Sequence, residues 1–221
     1  PLIYVVGQLL ILIIISNITS TTYVNEKPLI PILVSGIIFI PILYKAYSKY
    51  NKKSKFNIKN IYEPILLGIS ISLIFNITLY NINNLYHITN MYDGSNINIF
   101  VLILSSGIIG PIIEEVLFRG IVYNELKEIT KPMKAIIFTS ILFALFHSNI
   151  IDMIYAFGVS FMFIYLYEKY KDLKYSIVMH MSLNITILLF LDIIRLNNII
   201  INSSLLVISL VTLILLRKLI K

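Results

Sequence analysis

Apolar runs of roughly 17–25 residues, separated by short polar stretches, pattern almost the whole chain. Runs of that length predict membrane-spanning helices. Eight are predicted, near Leu2–Ile18, Leu29–Tyr47, Tyr62–Tyr80, Ile99–Tyr123, Pro132–His147, Met153–Tyr167, Tyr175–Ile194 and Ile200–Leu216. The sixth is the shortest. The fold class expected is therefore all-α, a polytopic membrane bundle of about eight transmembrane helices, built as a single membrane domain over residues 1–221.

Charge in the connections tests that count. Lys45, Lys49, Lys52, Lys53, Lys55 and Lys59 follow the second run, and Lys127, Lys131 and Lys134 lie after the fourth. Lys169, Lys171 and Lys174 follow the sixth, and Arg217, Lys218 and Lys221 close the chain. The alternate connections hold only Lys27 and Arg195. Basic residues stay on the cytoplasmic side during insertion, so eight spans with both termini cytoplasmic satisfy every loop. Seven or nine would place a lysine cluster outside.

Composition agrees with the pattern. The chain is 58% hydrophobic and 13% charged over 221 residues, with a mean hydropathy of +0.88. A soluble domain is nearer a quarter charged. The formal charge of +7 resides in the loops, where it sets orientation. Membrane lipids are the expected surroundings, and no nucleic-acid partner is expected. The Lys45–Lys59 loop could hold anionic headgroups, although topology alone accounts for it. Tyr44, Tyr47, Tyr62, Tyr80, Tyr123, Tyr167, Tyr170 and Tyr175 lie near predicted helix ends, as in an interfacial belt without Trp. Cysteine is absent, which excludes disulfides and thiolate-bound metal. No basic start or A-x-A-like site marks a secretory leader. The abundance of Ile, Asn, Lys and Tyr suits an AT-rich microbial genome, so a bacterial or archaeal plasma membrane is expected.

Some residues conflict with an apolar span. The fourth run reads GIIGPIIEEVLFRG, with Glu114, Glu115 and Arg119 inside it. Each charge at the bilayer centre costs about 2.5–3.5 kcal/mol, so three unpaired ones would cost about 8–10 kcal/mol. Glu115 and Arg119 are four apart and can pair on one helix face. Glu114 lies about 100° around and needs a partner from another helix or a proton. Phe143 and His147 share a face in the fifth run, and His180 and Asn184 share one in the seventh. His87, the remaining histidine, falls in a predicted external loop. Taken singly, each is as well explained by interhelical packing. Their coincidence in three of four successive runs suggests a site.

Peptide hydrolysis needs a base near water and donors near the developing oxyanion. Glu114 could cycle between base and acid, and His147 could share the water or relay its proton. His180 and Asn184 could donate to the oxyanion, while Arg119 holds Glu115. A metal route uses the same side chains: Glu114, His147 and His180 form an open three-ligand set that Zn²⁺ accepts. Sequence does not choose between the two. H-E-x-x-H is absent, and Asp152 and Asp192 lie near predicted external ends. Ser160 with His180 offers only a weak serine–histidine alternative, since small residues in membrane helices usually mark close packing.

At these positions the chain resembles the CPBP family of CAAX-processing and bacteriocin-processing membrane proteases. Its E-E-x-x-x-R motif is matched by Glu114, Glu115 and Arg119. F-x-x-x-H is matched by Phe143 and His147, and H-x-x-x-N by His180 and Asn184. The motifs follow in the family's order, over a protease-like core of approximately residues 98–195. The resemblance implies an eight-helix fold and cleavage of a peptide bond near the membrane surface. It implies catalytic roles for Glu114, His147, His180 and Asn184, with Glu115, Arg119 and Phe143 supporting. The family is often described as metallo-type, so a divalent metal such as Zn²⁺ is an expected cofactor. A membrane-associated peptide or protein is the expected substrate, in CAAX-type trimming or bacteriocin leader maturation. Two other functions compete: a non-catalytic immunity or scaffold protein of the same fold, and a small transporter gated by Glu114 and Arg119. The transporter predicts an internal repeat, and none is visible.

Overall fold

The computed structural model describes residues 40–41, 43–45, 47–50, 56–86, 99–147, 149–195 and 198–219. Among them every regular element is helical. A 3-10 turn, Ile58–Asn60, is capped by the Asn57 side chain, which accepts from Lys59 N at 3.0 Å. It leads into α1, Tyr62–Tyr86. Then come α2, Ile99–Ile129, α3, Pro132–Ala144, α4, Ile150–Tyr170, α5, Leu173–Arg195, and α6, Ile199–Leu219. Among the described residues, five stretches are long and apolar enough to cross a membrane: Ile58–Ile82, Ile99–Ile129, Ile150–Tyr170, Leu173–Phe190 and Ile199–Arg217. This is a multi-pass membrane protein.

These helices match the predicted third to eighth runs. The first run, the second except for helical residues at 40–47, and the loop carrying His87 lie outside the described residues. Several boundaries differ from the expectation: the third and fourth runs continue as helix to Tyr86 and Ile129, and the fifth and sixth differ for visible reasons. The fifth run was expected to be helical through His147, but α3 stops at Ala144. There the bonding tightens to three-residue turns, Phe146 N to Phe143 O at 3.3 Å and His147 N to Ala144 O at 3.0 Å. Its 13 residues rise only about 20 Å, short of a hydrocarbon core of about 30 Å. The sixth run is longer than its apolar stretch. Asn149, in extended conformation, accepts from Asp152 N at 2.9 Å and starts α4 early. Lys171, left-handed at φ 52°, ends it.

The tyrosine belt also needs correction. Tyr44 and Tyr62 are exposed, but Tyr47, Tyr80, Tyr123, Tyr167 and Tyr175 are buried. Tyr123 packs edge-on against Tyr167, whose hydroxyl accepts from Asn124 Nδ2 at 2.8 Å. Phenols that find such partners can face inward rather than the headgroups.

Packing divides the chain into two units, residues 1–56 with 108–177, and residues 57–107 with 178–221. In the first, α3 packs along α4, and Phe118 meets Phe143 and Phe146 edge-to-face at 5.1 and 5.2 Å. Gly120 allows a close approach by Tyr47, where an added Cβ would lie 2.9 Å from the ring. Beyond the spans, Lys49 donates to Tyr50 and pairs with Glu125, and Tyr50 also bonds Glu125. The bond to Tyr50 holds the Lys49 ammonium above its ordinary pKa range.

In the second unit α1 packs along α6 around Leu73, Ile77, Tyr80 and Ile194. Gly68 of α1 lies against the backbone of α5, where an added Cβ would sit 2.5 Å from Met179 O. One turn on, Ser72 Oγ donates to Leu183 O at 2.9 Å. A small residue followed by a hydroxyl is how membrane helices approach closely and bond across the contact.

Candidate active site

The expected carboxylates sit on α2, which is not a uniform α-helix. Residues Ile103–Ile109 and Val116–Tyr123 are wound in wide π turns on either side of a regular piece, Gly110–Glu115. Pro111 gives a physical reason for the first. It has no N–H, so the ladder of five-residue bonds cannot continue onto Ser106 O. That carbonyl is satisfied from another helix: Asn184 Nδ2 of α5 donates to it at 2.8 Å.

Glu115 and Arg119 are fully buried, 0% exposed. Arg119 Nη1 donates to Glu115 Oε1 at 2.9 Å, the four-residue pairing read from the sequence. Two further contacts were not foreseen. Nη2 donates to Ser160 Oγ of α4 at 2.8 Å. The guanidinium carbon also lies over the rings of Phe143 and Phe163, at 4.3 and 4.8 Å from their centroids. Phe143 is the phenylalanine of the second motif, so the ring of one motif receives the cation of another. Four residues on, His147 is partly exposed in the turn after α3, with Nδ1 3.2 Å from Phe143 O. Glu114 is partly exposed, next to the buried pair.

The first unit thus brings together Glu115, Arg119, Phe143 and His147, with Glu114 adjacent in sequence. His180 and Asn184 belong to the second unit, on one face of α5. His180 is 5% exposed, and Asn184 has one amide hydrogen engaged by Ser106. Ser160, weighed as a possible nucleophile, has its hydroxyl bonded to Arg119 instead. Sequence offered no sign of that bond, since nothing in the chain order brings Ser160 beside Arg119. Phe163 was missed for the same reason.

For the expected Zn²⁺, the donors do not present a ready set. Among the described residues, no group of three or more His, Asp or Glu side chains stands at metal-holding spacing. Glu114 and His147 lie in the first unit and His180 in the second.

A charged pair locked inside an apolar unit, with a histidine in the turn after the neighbouring helix α3, defines a class: membrane proteins that hold polar chemistry within their spans. Residues 96–186 match the family of type II CAAX prenyl endopeptidases, Rce1-like. Over that segment, which is less than half of the chain, the sequence is similar to that family and carries the three motifs that the resemblance rested on. It is 26% identical over 214 residues, 86% of each chain, to the membrane-embedded CAAX protease MroQ of Staphylococcus aureus (strain USA300). It is 31% identical over 84 residues to YdiL of Bacillus subtilis (strain 168), a membrane protein to which a peptidase role is ascribed. That second match covers 38% of this chain and 34% of YdiL, so the chain spans about a third of that relative's length. No solved structure matches.

Proposed function

We propose that the protein is a membrane endopeptidase that hydrolyses a peptide bond of a membrane-associated peptide or protein. CAAX-type processing near a C-terminus is the favoured reaction, because both the matched family and MroQ are named for it. Leader-peptide maturation, as in bacteriocin processing, is the other substrate class to test. The observation that carries the reading is the fully buried Glu115–Arg119 pair, clamped beside Glu114 and one side chain away from the turn bearing His147.

Arg119 pairs with Glu115, and Glu114, partly exposed beside that pair, is the carboxylate assigned to the chemistry. Glu114 takes a proton from water, and the hydroxide oxygen attacks the scissile carbonyl carbon. The carbonyl π electrons move onto oxygen and form the tetrahedral oxyanion. The resemblance assigns the donors for that oxygen to His180 and Asn184. Collapse breaks the C–N bond, and the proton from Glu114, relayed by His147, goes to the leaving nitrogen. The products are a carboxylate and an amine, with one water consumed.

The reading is tested on protein purified in detergent, with internally quenched peptides: one farnesylated and ending in a CAAX sequence, one carrying a bacteriocin leader junction. Wild type should cleave one of them. Glu114→Ala should cleave neither while keeping the wild-type unfolding temperature. Cleavage that survives Glu114→Ala removes this reading of the site, and a wild type that cleaves neither peptide leaves a non-catalytic scaffold of the same fold.

A further inference from the structure

Ser160 carries no part in any motif, yet it makes the bond that fixes the motif arginine. The guanidinium of Arg119 is held in two different ways. Phe143 and Phe163 attract it through their ring faces, and such contacts place the cation without dictating where each N–H points. Hydrogen bonds set that direction. One of the two goes to Glu115, on the same helix as Arg119, and so ties α2 only to itself. The other, to Ser160 Oγ at 2.8 Å, is the bond that ties the guanidinium's orientation to α4.

All members of this clamp are buried: Glu115, Arg119 and Ser160 at 0% exposure, Phe143 at 1%. In such surroundings an N–H that loses its acceptor finds no water to replace it. The guanidinium then turns toward another acceptor and moves Phe143 with it. His147 follows, because its imidazole packs edge-on against the Phe143 ring, 5.2 Å between centroids. One hydroxyl on α4 thereby governs the spacing between the carboxylates of α2 and the histidine after α3.

We propose that Ser160 is a positioning residue for the hydrolysis, acting through Arg119 on the Glu114–Glu115 segment and on His147; this rests on the endopeptidase reading above. The alternative for Ser160 is a small residue that merely lets α4 pack. The two separate by whether the hydroxyl itself matters. Replacement by Ala keeps the space and removes the bond. Replacement by Thr keeps the hydroxyl. Gly158→Ala, two residues away, is the control, because an added Cβ there meets nothing within 4 Å.

The experiment measures kcat and KM on whichever quenched peptide the wild type cleaves. Ser160→Ala should lower kcat about tenfold with KM within about twofold, since misplaced groups cost turnover rather than ground-state binding. Ser160→Thr should recover most of the loss, and Gly158→Ala should match wild type. A folded Ser160→Ala protein with wild-type kcat overturns the inference, as does a loss that Thr does not restore. If Ser160→Ala does not fold, Ser160→Cys serves, its sulfur being a weak acceptor of nearly the same shape; unreduced kcat there overturns the inference too. A wild type that cleaves neither peptide sinks the endopeptidase reading, and this inference with it. A cleaving wild type matched by Ser160→Ala sinks this inference alone.

Discussion

Arg119 brings a full charge into an apolar interior, and its cost is offset by side chains from three helices: Glu115 on α2, Phe143 on α3, Ser160 and Phe163 on α4. A buried pair of this kind adds little over an apolar pair of the same shape, but removing one member leaves an uncompensated charge. Glu115→Ala should therefore destabilise the protein by about 3–5 kcal/mol. The double change Glu115→Leu with Arg119→Leu should cost less than Glu115→Ala alone. Thermal unfolding in detergent measures both, and a Glu115→Ala protein as stable as wild type would contradict the pairing. The sequence disclosed half of this cluster. A four-residue spacing put Glu115 and Arg119 on one helix face, because local geometry alone decides that. Phe143, Ser160 and Phe163 come from other helices, and periodicity says nothing about which faces meet.

The helices were legible because a span has a length and an apolar composition, whereas their local irregularities were not. The π turns of α2 show the difference. Gly107, Gly110 and Pro111 mark an interruption in the sequence, but not its form or the donor that repairs it. The repair by Asn184 makes a test possible. Asn184→Ala should cost about 1–2 kcal/mol, the size of an interhelical hydrogen bond in a membrane with its acceptor left bare. Pro111→Ala restores an N–H that can reach Ser106 O, so in that background the same Asn184→Ala change should cost less. A coupling of at least about 0.5 kcal/mol is expected from the thermal double-mutant cycle. Strict additivity would mean that Asn184 does not substitute for the missing donor. The end of α3 at Ala144 was hidden for a similar reason. Leu145 and Phe146 are as apolar as a helix would require, and Asn149 starts α4 just beyond them.

At the scale of the molecule the open matter is which face of the membrane each helix end meets, and α4 decides it for the first unit. Its 21 residues rise about 31 Å, enough to cross a core of about 30 Å. The end near Lys171 is basic: Lys127, Lys131, Lys134, Lys169, Lys171 and Lys174 cluster in sequence around the turns on that side. Glu168 pairs with Lys127 and Lys171, and Glu125 with Lys49. Those pairs do not cancel the signal, because orientation follows Lys and Arg while Asp and Glu contribute little. The Lys169 end should thus be cytoplasmic and the Ile150 end outside. The chain has no cysteine, so a single introduced thiol is an unambiguous reporter. Ile150→Cys, at a position 68% exposed, should react with a membrane-impermeant maleimide on intact cells. Lys169→Cys, also at an exposed position, should react only after the cells are opened. The reverse pattern would turn α4 over and overturn the lysine argument. Because His147 lies on the turn just before Ile150, labelling of Ile150→Cys from outside would also place the proposed histidine toward the outer end of α4.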